Sequence, residues 1–480
     1  MQIDLPSRPQ LPASDQKRAE HQALRCRLLN GEWAEDLEKA LQRHIRTERR
    51  EAWGIAEMSR NPFRSLATQV GGALYRMSPT VRGSAGSEGL ISAVEGAGLW
   101  QLMQRVSTDL VGLRESLVRV DWSERGGLLF RPVPVELSYV ESVPEAPDVP
   151  ALVEEIQQRT DPTTGKPIWV WEILDVRDLA SPRHVILSDD RRTDLTAAYL
   201  GADKSGANYQ YRDTAGRPYL PVVMHHADRS GRLWDHKFGL EAVLGTLTIG
   251  VLLTFWVHGV KDGSFATVAL VNGKVAGLEI ETRGEDGQTM VTRTQVISVD
   301  PGAIIEIAPI QDGLQPSVFQ LQPGFEPDKL MSAIGQFEAG LAEYAGVSPS
   351  DLVRTGADPR SGASLSISRE GLRAAQARFE PQLRRGDLEL LAVAAKVLNG
   401  ATGSTWPESG YSIAYPALPL SSDEVQAQRQ DLLEKVSAGL LSKVDAFMRL
   451  NPGLTRDQAI AELQRIQREN AMFGALPTMP

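Results

Sequence analysis

The chain has 480 residues, 42% of them hydrophobic and 23% charged. At roughly 150 residues per domain that length suggests about three domains, and the composition excludes disorder, a collagen-like repeat or a disulfide scaffold as a global description. The formal charge of -10 rules out bulk attraction to phosphate. A single cysteine, Cys26, permits no intrachain disulfide and makes a reducing compartment the default.

Residues 1–30 read as a flexible arm, with acidic residues and prolines early on and no apolar run of signal-peptide length. Leu37, Leu41 and Ile45 recur at helical spacing. Asn61-Pro62 reads as a helix start, because Asn accepts from an orphan amide and Pro suits the first helical position. The stripe Phe63, Leu66, Val70, Leu74 follows, and Ser78-Pro79 stops it. Leu90 to Leu113 is expected to be helical, interrupted at Gly96 and Gly98.

The period then changes to two. Leu117, Arg119 and Asp121 alternate with Val118, Val120 and Trp122. Further strands are expected at 128–133, 137–140, 169–173, 184–187 and 219–224, with turn chemistry at Asp161-Pro162-Thr163-Thr164-Gly165.

Ala242 to Val257 is an uncharged run of sixteen residues inside an expected helix over 235–260. A spanning helix needs about 20 apolar residues. This run is shorter and carries three threonines and two glycines, so a helix buried by protein is the plainer reading. Lys261-Asp262-Gly263 is expected to break it, and Asn272-Gly273 predicts a hairpin between the strands on either side. The region 274–312 is locally acidic, and further strands are expected at 291–299 and 304–307. A second helix follows to Ala345 with the stripe Leu330, Ile334, Phe337, Leu341, Tyr344. Thus a long helix, a compact β insert and a long helix follow in order.

A Gly-, Pro- and Ser-rich loop covers 346–362, and a long helix runs over 363–398. Pro381 inside it is expected to kink or break it. Capping boxes at Ser421/Glu424 and Thr455/Gln458, with stops at Gly439 and Asn451-Pro452-Gly453, predict three helices at the end.

Chemistry-bearing motifs are scarce. The sequence carries no GxGxxG, P-loop, CxxC, HExxH or GxSxG pattern. His225-His226 on a strand would point to opposite faces, which disfavours one shared metal ion. Asp189 and Asp190 sit beside Arg191 and Arg192 in an expected surface turn. Arg369, Arg373, Arg378, Arg384 and Arg385 on the long helix are diluted by carboxylates and read as an ion-paired face.

Several stretches together resemble the portal proteins of tailed bacteriophages: RNPFRSLATQVGGALYRMSP, GRPYLPVVMHHADRSGRLWD, the helix–insert–helix order of 235–345, the loop and long helix beginning at AEYAGVSPSDLVRTGADPRSG, and the helical ending from LPLSSDEV. The resemblance covers about residue 30 to 470 and lies in the order of elements, with no single specific motif. It implies an α+β fold: a helical and β-rich wing, two long stem helices carrying a small β clip, a long kinked helix and a helical C-terminal crown. The implied division is an arm over 1–30, a wing over 31–234, stem helices at 235–262 and 326–346 around a clip at 263–325, a tunnel loop at 347–362, the long helix and wing return at 363–420 and a crown at 421–480.

The resemblance further implies a ring, usually of twelve copies, at one capsid vertex of the virion, assembled in the host cytoplasm. Double-stranded DNA passes through its channel. The terminase large subunit and later a head–tail connector or adaptor protein dock on the clip, and the major capsid and scaffold proteins contact the wing. No cofactor, metal or catalytic residue is implied. Arg354, Thr355, Asp358 and Arg360 would be the tunnel-loop residues, Glu279, Glu281, Glu285 and Asp286 an acidic clip surface, and Leu244, Leu247, Val251 and Phe255 the stem packing. Physics fits: a head-to-tail interface closes into a ring, and an acidic conduit repels DNA at short range, within about 10 Å in ordinary salt. Two other readings use the same residues. One is a soluble hydrolase built on Asp189, Asp190 or His226; the other is a membrane-associated assembly factor anchored through 242–257.

Overall fold

A computed structural model describes residues 9–44, 60–228, 231–234, 240–264, 326–344, 362–416, 422–451 and 455–473, with short strands between 267 and 321 and positions 347 and 349. The fold is α+β.

The first helix, Gln16–Asn30, contradicts the expected arm beyond residue 15. Its inward positions are mostly polar (Arg18, Gln22, Arg25) with Leu28, so no apolar stripe announces it. Arg18 donates to the carbonyls of Val135 and Ser138 and pairs with Asp15. Its guanidinium also lies 3.9 Å above the Trp234 ring. Gln22 donates to the Leu113 carbonyl. Main-chain acceptors thus replace the hydrophobic driving force at these positions.

Helices Ala34–Leu41 and Pro62–Leu74 follow. Asn61 accepts from the Arg64 amide at 2.9 Å, the capping bond its position predicts. The helical region expected over 90–113 is two helices, Glu88–Gly96 and Leu99–Leu113, parted at the two glycines. Helices Pro62–Leu74 and Leu99–Leu113 approach closely at Gly71. A Cβ there would sit 2.4 Å from the Thr108 Cα.

Two antiparallel sheets carry the middle of the chain. One has the order β3-β2-β8, formed by Gly127–Val133, Glu115–Ser123 and Val222–His226. The other has the order β4-β5-β6-β7: Ser138–Val143, Ala146–Thr160, Pro167–Asp175 and Arg183–Ser188. Strand β5 was not expected from the sequence. Its Glu155 lies directly opposite Glu172 of β6, a costly like-charge pair in isolation. Tertiary partners offset it. Arg131 of β3 grips Glu155 at 2.6 and 2.8 Å. Arg119 of β2 reaches Glu172 at 2.7 Å, Arg159 reaches it at 2.6 Å and His184 at 2.8 Å. Gln157 bridges both carboxylates. Burial pushes the Glu172 carboxyl up, but Arg119, the His184 hydrogen bond and Arg159 outweigh it and hold it well below the usual range.

The long helix is Gly362–Thr402. Pro381 lies inside it, and the helix continues through that position instead of ending there. Its second half is enclosed in the core, with Leu383, Leu390, Leu391, Ala394 and Ala395 fully buried. Strand β15, Ser412–Ala414, pairs with β1, Thr80–Arg82. Three helices end the described chain: Ser422–Ser437, Lys443–Leu450 and Arg456–Phe473. The expected box at Thr455/Gln458 forms reciprocally, at 2.9 and 3.4 Å. Ser421 lies outside the described residues.

Candidate functional site

The segment that carries the strongest sequence signal is the apolar helix Leu240–Ser264. It runs straight through Lys261-Asp262-Gly263, so the expected break there does not occur. The second helix, Pro327–Tyr344, packs against it antiparallel. Two contacts fix that direction. A Cβ at Gly245 would lie 2.8 Å from Leu341, while Trp256 Nε1 donates to the Pro327 carbonyl at 3.1 Å. Ile249, Leu253, Ile334 and Leu341 form the seam. Gly250 admits the helix Ala34–Leu41, since a Cβ there would meet Leu37 at 2.7 Å. The two glycines that weaken a membrane-span reading are therefore where protein packs closest.

The helix has three polar devices on its inner side. Thr246 Oγ1 accepts from the Phe63 amide at 3.1 Å. Thr254 returns its hydroxyl to the Gly250 carbonyl at 2.9 Å, and His258 is buried. The outer side is different. Glu241, Leu244 and Thr248, at helical spacing, are exposed, with Leu244 52% accessible. This helix is the one described helix long and apolar enough to cross a membrane, over Glu241–Val260, and 44% of it is buried within the chain.

The four residues expected to pack this helix divide. Val251 is buried in the cluster with Leu28, Trp33, Leu37, Leu41 and Phe63, and Leu247 and Phe255 pack half-buried against it. Leu244 points away from it, into solvent. On the second helix Phe337 also departs from the expected stripe, at 51% exposure. Glu338 takes the inward position instead, where Arg60 donates to its carboxylate at 3.0 and 3.3 Å. A carboxylate at the seam hides the stripe from any hydrophobic count.

Between the two helices lie short strands: β9 Thr267–Val271, β10 Gly273–Val275, β11 Ile280–Arg283, β12 Thr289–Thr292, β13 Ile307–Pro309 and β14 Ser317–Leu321. Among the described residues, the strands beside Asn272-Gly273 do not pair with each other as a hairpin. Strand β9 pairs with β14 and β10 with β13, so partners distant in sequence close the insert on itself. Of the acidic candidates Glu281 lies on β11, and Glu279, Glu285 and Asp286 lie outside the described residues. Arg354, Thr355, Asp358 and Arg360 lie outside them too.

The residues of the hydrolase reading go to separate structural duties. Asp189 accepts from the Trp171 indole through its carbonyl, and Asp190 caps its own turn through Ser188 and the Arg192 amide. His226 Nε2 bonds to the Asp148 carbonyl at 3.1 Å, and burial lowers its pKa. His225 points the other way, toward Asp387 at 3.3 Å. Among the described residues no group of three or more His, Cys, Asp or Glu side chains is placed to hold a metal ion. On the long helix Arg378 pairs with Asp228, Arg384 with Glu380 and Arg385 with Asp148.

One crevice of about 140 Å³ lies elsewhere, lined by Cys26, Arg105, Asp109, Pro132, Pro134 and Glu136 among others. Burial pushes the Asp109 carboxyl up to about 6, against the pull of Arg105 at 3.8 Å. Burial and Glu136 push the Cys26 thiol far up, so it stays a protonated donor.

No family model matches the chain, and no curated protein matches it. Solved structures do. The chain is similar to one from the neck of an empty GTA particle computed with C6 symmetry, at 12% identity over 82% of this chain and 90% of that one, with a TM-score of 0.43. It is similar to another from the neck of a native GTA particle computed with C12 symmetry, at 11% identity over 82% and 91%, with a TM-score of 0.41. A third is an HK97 family phage portal protein from Corynebacterium diphtheriae, at 11% identity over 74% and 91%, with a TM-score of 0.32.

Proposed function

We propose that this chain is one subunit of a portal-type ring at a capsid vertex, a passive conduit through which double-stranded DNA is packaged and ejected. The observation that carries the reading is the apolar helix. It is followed by an insert of short strands and an antiparallel return helix, yet its outer strip at Leu244 lacks a cover among the described residues. Leaving this half-exposed side chain in water forgoes about 1 kcal/mol of burial per copy. A neighbouring copy placed head-to-tail supplies the cover, and repetition of one such contact closes a ring.

In this reading the two helices are the stem, the insert is the clip, and 347–362 is the tunnel loop. The terminase large subunit and a head–tail connector or adaptor protein dock at the clip; major capsid and scaffold proteins meet the wing. Twelve copies at -10 each carry roughly -120, which keeps DNA sliding instead of bound. The chain does no chemistry of its own. Its place is the virion, after assembly in the host cytoplasm.

Negative-stain imaging of the purified full chain tests the reading. The expected result is rings with a central hole wide enough for a duplex, in buffer without detergent. Single particles of one copy refute it. Recovery only in detergent favours the membrane-associated alternative.

A further inference from the structure

The long helix carries a fully buried carboxylate, Asp387, which the ring reading does not use. Three other segments converge on it. Tyr75, the residue that ends helix Pro62–Leu74, donates its hydroxyl to Asp387 Oδ2 at 2.6 Å. Tyr415, just past strand β15, donates to the same oxygen at 2.6 Å. His225 of β8 lies 3.3 Å from Oδ1 through Nε2. The two tyrosine rings meet edge to face at 5.7 Å.

The donors are held in that role. Burial first, and the Asp387 carboxylate second, push both phenols well above their ordinary range, so both keep their protons. His225 Nδ1 is buried with no hydrogen-bond partner among the described residues, so the ring joins the cluster through Nε2. Gly386 makes the approach possible, since a Cβ there would sit 2.3 Å from His225 Cδ2.

The three donors differ in what they secure. Tyr75 and His225 belong to the body, where the large core surrounds them. Tyr415 stands at the exit to the C-terminal helices. Among the described residues of those helices, the buried apolar side chains are Leu432, Ala446 and Ala459. Strand β15 pairs with β1 over three residues, and its Ile413 is buried in the body's core. Among the described residues, Tyr415 is the last side chain hydrogen-bonded to the body before them, gripped by Asp387 and overlain by Arg384 at 5.9 Å.

We propose that Asp387 and Tyr415 form a latch that fixes the three C-terminal helices to the body, and that opening it frees those helices while the body stays packed. The latch is a positioning device and stands whether or not the chain forms a ring.

Two conservative variants separate a latch from an ordinary core bond, because both delete one hydroxyl on the same carboxylate oxygen. Tyr415→Phe should speed amide exchange across 422–450 by roughly tenfold or more, the scale of one hydrogen bond to a charged group. Exchange in strands β2 and β8 should not change. Tyr75→Phe should leave the exchange across 422–450 as it was. The proposal is overturned if Tyr415→Phe leaves that exchange unaltered. It is equally overturned if both variants accelerate the whole chain alike. Should Tyr415→Phe not fold, Arg384→Ala, which strips the cation from the Tyr415 ring, should give a smaller rise confined to 422–450. No rise there counts against the latch.

Discussion

The body and the apolar helix pair solve the same problem in opposite ways. In the body, several buried charged groups find partners within the chain: Glu155 and Glu172 among arginines, Asp387 among tyrosines, Arg18 among carbonyls. In the helix pair the inner side is equally complete, down to Thr246 capping the Phe63 amide. Its outer side is mixed, with Leu244 and Phe337 exposed among polar residues such as Glu241 and Thr248. The body also exposes Met77, Leu129 and Leu179, so Leu244 and Phe337 differ by lying on a long apolar helix and its antiparallel partner. Substitutions in the two regions should therefore report on different observables, stability in one and assembly in the other.

The largest stability loss should come from the body's ion network. Arg119→Ala leaves Glu172 buried with one cation fewer and should cost about 4 kcal/mol in urea unfolding. The sign with pH follows from the depressed carboxyl. Stability supplied by ionised Glu172 is fully present above 4.5, its ordinary value, and is lost as pH falls toward the lower folded value. Acid titration of the native protein should therefore lose that contribution below about pH 4.5, and the variant should show less of the loss.

Next comes Gly71→Ala. The Cβ would meet Thr108 backbone, which cannot swing aside, so about 3 kcal/mol should be lost and two helices pushed apart. A thermal melt checks this.

A smaller effect of opposite sign is expected at the crevice. Asp109 releases its proton at about 6 in the fold but at 3.8 when unperturbed. Between those values the folded state holds the extra proton, so stability falls as pH rises, and the cost persists above 6. Asp109→Asn should therefore stabilise the protein by about 2 kcal/mol at pH 8, allowing for partial exposure, and by almost nothing at pH 4. Equal gains at both values would contradict the assignment.

The smallest stability effect belongs to the helix pair. Leu244→Asp should change unfolding by less than about 0.5 kcal/mol, yet abolish assembly. Loss of both together would erase the distinction between the regions.

Much of this was legible where local rules and tertiary structure agree. Asn61-Pro62 and Thr455/Gln458 form the caps their spacing predicts, and Leu117 to Trp122 lies in strand β2 as its alternation requires. Strand β5 was hidden because Pro147, Pro150 and its Glu and Gln residues oppose a strand locally, and tertiary partners such as Arg131, Arg119 and Arg159 offset that. Helix Gln16–Asn30 was hidden because its inward residues are polar. The Asn272-Gly273 signal misled because the strands beside it find distant partners. At the helix pair, periodicity named the right segment but not its sides: Phe337 and Glu338 exchange the positions that hydrophobicity assigns. A single chain's sequence does not distinguish an apolar residue covered by its own fold from one covered by another copy.

The mass of the native protein in detergent-free solution tests the central claim most directly. The account predicts a discrete multiple of the 52.5 kDa chain for the native sequence and one chain for Leu244→Asp. A native sequence that weighs one chain at micromolar concentration, with Leu244 protected from solvent labelling, would contradict it.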